Sequence, residues 1–110
     1  MCKLIKKNME ITSDQFETEV LKSQELVLVD FFAQWCPPCQ AMMPILTKID
    51  QEKIVKVIKI DVDNAPDLAS KYDVGSIPTL IFFKNGEPAF RNTGAVSFDF
   101  IVNKVKELNG

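Results

Sequence analysis

Residues 29–40 read VDFFAQWCPPCQ, and they decide how the rest of the chain is understood. The first half continues an apolar run, LVLVDFFA (26–33), rich in β-branched and aromatic residues. Such a run predicts a central strand covered on both faces. The second half opens PCQAMMPILTKIDQE, where Met42, Ile45, Leu46 and Ile49 recur at helical spacing. Two cysteines, Cys36 and Cys39, therefore sit where a strand hands over to a helix. In open α/β sheets that junction is where sites form.

Three residues of separation bring two cysteines to about 5–6 Å between Cα atoms at a helix start, within reach of a disulfide. The unpaired N–H groups and the dipole there favour an anion, which points to Cys36 as the attacking thiolate and Cys39, one turn in and more shielded, as the resolving thiol. Pro37 and Pro38 occupy positions whose N–H groups have no intrahelical partner, so they sacrifice little. If Cys36 caps the helix, the Cys39 N–H stays available to its sulfur.

The totals fit this chemistry. The chain has 110 residues, 46% hydrophobic and 25% charged, with net charge −2. That predicts one domain over residues 1–110 with a real core, no electrostatic nucleic-acid binder and no membrane span. MCKLIKKNME lacks a following apolar segment, so no secretory signal is expected and the cytoplasm is the expected compartment. There are three cysteines and no histidine. A lone CxxC, Cys2 and no His make a poor zinc site, so no metal is expected. Cys2 reads as a tolerated terminal thiol.

Outward from the motif, residues 8–12 predict a short edge strand. Thr12 with Gln15 forms a capping box that predicts a helix over 12–23, with Phe16, Val20 and Leu21 on one face. Pro44 should kink the helix after the cysteines. Strands follow at 54–62, 78–83 and 88–94, and a helix at 65–73. Asn85-Gly86 marks a hairpin turn, and Ser97 caps a last helix bearing Phe98, Ile101, Val102, Val105 and Leu108. The order β-α-β-α-β-α-β-β-α predicts an α/β domain with a mixed central sheet between helices. Strands separated by helices should be parallel and the final hairpin antiparallel.

Read together, VDFFAQWCPPC, PIL (44–46), KIDVD (59–63), SIPTLIFFKNGE (76–87) and TGA (93–95) resemble the thioredoxin family, in its order and spacing, over roughly residues 9–108. The resemblance implies the thioredoxin fold and a thiol–disulfide oxidoreductase that reduces protein disulfides through a Cys36–Cys39 pair. It implies no bound cofactor, disulfide-containing protein substrates and a flavin- and NADPH-dependent thioredoxin reductase as electron donor; a monomer is expected. Asp30 alone reads as an acid at a strand end reaching solvent. The resemblance makes it a buried carboxylate behind Cys39, where burial would raise its pKa and let it accept a proton. Lys59 resembles the family's lysine near that carboxylate. Trp35, Pro37, Pro38, Gly75, Ser76, Ile77, Pro78, Gly94 and Ala95 would form the substrate surface. A trans Ile77–Pro78 bond is the default from sequence, whereas the resemblance implies cis. Pro37 replaces a common Gly, Gln40 a frequent cation and Phe32 a frequent Trp. Losing the cation should leave the Cys36 thiolate less stabilised. An oxidase or isomerase, or a non-catalytic binding domain on the same scaffold, are the competing readings.

Overall fold

The computed structural model describes residues 9–110. Cys2 lies outside them. Four strands form one sheet: β1 (Val27–Phe32), β2 (Lys56–Asp61), β3 (Thr79–Lys84) and β4 (Glu87–Thr93). Three α-helices flank it: α1 (Pro37–Gln51), α2 (Pro66–Lys71) and α3 (Phe98–Asn109). The spatial order is β2-β1-β3-β4.

β1 is buried along its whole length, as its unbroken apolar run requires. Its alternate residues feed two cores. Leu28 packs with Met42, Leu46 and Ile49 of α1 and Ile101 and Val105 of α3. Val27, Val29 and Phe31 pack on the other face with Phe16, Val20 and Leu68. Asp30, two residues beyond Leu28, therefore lies on the α1 face.

β1 and β2 run parallel, with α1 as the crossover. β3 departs from the expected direction: it pairs with β1 antiparallel. The six-residue α2 spans only about 9 Å along its axis, and the chain enters β3 at the end of the sheet where it left β2. Consequently the loops after β1 and β2 and the loop before β3 gather at one end of the sheet.

Of the first expected strand, residue 8 lies outside the described residues, and the described part holds a parallel bridge, Glu10 to Lys59. Lys59 N–H donates to the Met9 carbonyl, and Ile11 N–H donates to the Lys59 carbonyl at 3.0 Å. This segment covers the β2 edge. The expected first helix is realised as a 3-10 turn, Ser13–Gln15, and a π-helical turn, Glu17–Leu21. Half of the capping box is clear, with Thr12 N–H donating to Gln15 Oε1 at 3.0 Å. Phe16 is locked in an aromatic cluster with Tyr72 and Phe83, so tertiary packing rather than helical period sets this segment.

Pro44 lies inside α1 without ending it. Ser97 caps α3, its Oγ accepting from Phe100 N–H at 3.1 Å. The β3–β4 turn has positive φ at both central residues, Asn85 (54°) and Gly86 (83°), as a two-residue hairpin demands. Gly86 has a further role. A Cβ there would stand 2.6 Å from the Leu21 carbonyl oxygen, so the turn docks against the helical segment.

Candidate active site

Cys36 is the N-cap of α1, with extended backbone (φ −91°, ψ 111°), and Pro37 and Pro38 fill the first turn. Neither proline has an N–H. The Cys39 N–H is thus the first free donor of the helix, and it donates to Cys36 Sγ at 3.2 Å. The two cysteines form a disulfide with Cα atoms 5.2 Å apart. Both are 3% exposed, so the greater shielding expected of Cys39 is not seen in this oxidised form. What separates them is placement. Cys36 Sγ is the sulfur that receives the helix N–H, and it also lies 3.9 Å from the Ile77 carbonyl oxygen.

Ile77 packs with Phe32, Ala33, Cys36 and Cys39. The Ile77–Pro78 peptide bond is cis. Gly94 N–H donates to the Pro78 carbonyl at 2.8 Å, and Thr79 Oγ donates to the Ser76 carbonyl at 2.6 Å. These bonds fix the backbone of residues 76–78 beside the disulfide. Gly94 has φ 103°, a conformation that favours glycine. Gly75, Ser76 and Ala95 are exposed around this backbone. Gly75 has open space where a Cβ would stand and no positive φ, so its lack of a side chain serves no packing need.

Trp35 is 67% exposed. Its Nε1 donates to Asp63 Oδ2 at 2.9 Å. Asp63 carries no obvious signal on its own. The register supplies it: Phe32 pairs with Asp61, so the residues just past each strand end meet. Asp61 holds the turn by accepting from Asp63 N–H at 2.9 Å. On the other side, Gln40 Nε2 donates to the Gln34 carbonyl at 2.9 Å, tying the helix back to the Trp35 loop. The position that lacks a cation thus has a structural use.

Asp30 is 1% exposed, and neither carboxyl oxygen meets a hydrogen-bond partner among the described residues. It does not reach solvent at a strand end, as an acid of its kind would by default. Burial pushes its pKa up to about 7, opposed by the charge of Lys59. Lys59 is its partner across the parallel β1–β2 pair. Lys59 is itself buried, and desolvation holds its pKa down against the pull of Asp30 and Glu10. Its Nζ does not pair directly with Asp30. It donates to Met43 Sδ at 2.9 Å and sits 4.3 Å over the Phe32 ring. Met43 is a neighbour that spacing did not single out.

Among the described residues, no three His, Cys, Asp or Glu side chains converge as a metal site, and no helix is long and apolar enough to cross a membrane. A concavity of about 870 Å³ lies at the opposite end of the sheet among residues such as Gln24, Asp50 and Lys84. It holds none of the groups just described, so chemistry and not size locates the site.

A family model described as Thioredoxin matches residues 7–107. The chain belongs to the thioredoxin family. It is 52% identical over 79 residues to a thioredoxin of Rickettsia bellii, covering 70% of this chain and 75% of the relative. It is 45% identical to a thioredoxin of Buchnera aphidicola, over 83% of this chain and 86% of that one. A thioredoxin of Mycobacterium bovis is 46% identical, over 79% and 77% respectively. As a thioredoxin-family member the chain is a thiol–disulfide oxidoreductase acting on protein disulfides, and Cys36–Cys39 is its redox-active disulfide. Its class of partner is a disulfide-containing protein on one side and a reductase on the other.

Proposed function

We propose that this thioredoxin-family chain works in the reducing direction, as a single monomeric domain over residues 1–110 in the cytoplasm. It carries electrons from a flavin- and NADPH-dependent thioredoxin reductase to disulfides of other proteins. One observation carries the division of labour: Cys36 Sγ alone receives the helix N–H and faces the Ile77 carbonyl. Three cysteines in 110 residues suit a reducing compartment.

The Cys36 thiolate attacks one substrate sulfur. The substrate S–S bond breaks, a Cys36–substrate S–S bond forms, and the leaving thiolate takes up a proton. Asp30 accepts the Cys39 thiol proton. The Cys39 thiolate then attacks Cys36 Sγ, the Cys36–substrate S–S bond breaks, the Cys36–Cys39 bond forms, and the second substrate sulfur leaves as a thiolate that takes up a proton. Two electrons have passed from the cysteine pair to the substrate. A carboxyl with a pKa of about 7 can hold and release that proton near neutrality. Lys59 supplies the opposing charge that keeps the carboxylate form accessible.

Trp35, Pro37, Pro38, Gly75, Ser76, Ile77, Pro78, Gly94 and Ala95 form the substrate rim in this reading. The backbone around Ile77 offers an extended substrate segment a strand-like edge. The test is reduction of a protein disulfide with dithiothreitol as donor. Cys36→Ser should abolish the rate, and Cys39→Ser should stall as a mixed disulfide. An unaffected rate after Cys36→Ser would sink the mechanism. Equilibration with glutathione tests direction, because a strongly oxidising couple would refute a reductase.

A further inference from the structure

We infer that Met43 is an oxidation site whose sulfoxide retunes the Lys59–Asp30 pair behind the disulfide. The inference rests on the proposed role of Asp30 as the proton acceptor. Met43 and Met42 are adjacent in α1 but sit in opposite environments, 43% and 0% exposed. A groove of about 540 Å³, lined by Met43, Lys59, Glu10 and Thr47 among others, opens onto the Met43 side chain and gives a small oxidant access. Inside it, Met43 Sδ already accepts from the Lys59 ammonium.

The chemistry balances with a hydroperoxide as oxidant. The Met43 sulfur gives up two electrons and gains an oxygen atom. The peroxide O–O bond breaks, and hydrogen peroxide is reduced to water. A thioether is a weak acceptor, and a sulfoxide oxygen is a far stronger one. It draws the ammonium towards α1. Among the described residues, the titratable groups around this point are Asp30 on β1, Lys59 on β2, Glu10 on the bridging segment and, once the disulfide is reduced, Cys39 on α1; Met43 brings no charge. Holding the ammonium at the sulfoxide weakens its field at Asp30. Asp30 then loses its proton at higher pH, and the Cys39 step slows at neutral pH.

The test uses the full chain in its disulfide form, which offers peroxide no thiolate at Cys36 or Cys39. After hydrogen peroxide and quenching, peptide fragmentation should find oxygen on Met43 about tenfold or more faster than on Met42. The protein is then reduced with dithiothreitol and desalted, and single-turnover release of a reduced protein substrate is followed against pH. The low-pH limb should move up by about half a unit after peroxide. In Met43→Leu, peroxide should not move it. Equal oxidation of Met42 and Met43, or an unmoved limb with Met43 oxidised, overturns the inference. Asp30→Asn separates the two ideas. If it abolishes the limb and peroxide fails to shift the wild-type profile, only the Met43 inference falls. If the limb survives Asp30→Asn, the proton path and the inference fall together.

Discussion

Removing the Asp30 carboxylate should stabilise the protein, but only above the acid range. Asp30 is buried, unpartnered and titrates at about 7 in the folded chain against an ordinary 3.8. Below about pH 4 both folded and unfolded chains hold this proton, and the group contributes no pH dependence. Between there and about pH 7 the unfolded chain releases the proton and the folded chain keeps it, so stability falls as pH rises. Above about pH 7 the penalty is complete, about 4 kcal/mol. Asp30→Ala removes it. Two losses offset the gain: a small cavity, and the support that Asp30 gives to the buried Lys59 charge. The net gain should be about 2–4 kcal/mol near pH 8 and close to zero or negative near pH 4. Urea unfolding of the disulfide form at a series of pH values measures it. Other carboxyl groups titrate too, but they cancel in the difference between the two proteins. A gain that does not grow between about pH 4 and pH 7 would refute the reasoning, since the burial cost would then not be electrostatic. The same variant should release reduced substrate more slowly, so stability and rate move in opposite directions.

Asp63→Ala frees Trp35 and should raise KM for a protein disulfide by about fivefold, the worth of an ordinary exposed hydrogen bond of about 1 kcal/mol, with kcat little changed; Trp35 fluorescence reports the release directly. Gly86→Ala should cost about 1–3 kcal/mol in chemical unfolding, because it combines positive φ with a Cβ driven into the Leu21 carbonyl. Gly75→Ala, with open space and ordinary φ, should change stability by less than about 0.5 kcal/mol and serves as its control. Ser97→Ala should cost about 1 kcal/mol by stripping the α3 cap.

The features that the chain announced in advance are those set by local rules. Cys36 as N-cap follows from a spacing of three and two donorless prolines, and the sulfur-to-N–H bond appears where those rules put it. The Asn85-Gly86 hairpin and the Ser97 cap are equally local. The direction of β3 was not legible, because it depends on which end of the sheet the chain enters after α2, a relation between elements and not a local pattern. Asp63 and Met43 were hidden for the same reason. Each acts on a residue far away in sequence, Trp35 and Lys59, and neither lies on a repeating apolar face. Lys59 shows how such relations change a residue's meaning. In the sequence it is a lysine on a strand, with solvent as its default. The 9–11 segment covers its backbone, α1 brings Met43 over its ammonium, and β1 sets Asp30 opposite. Enclosure by those three elements, and not the residue type, turns an ordinary cation into the charge that opposes the effect of burial on Asp30.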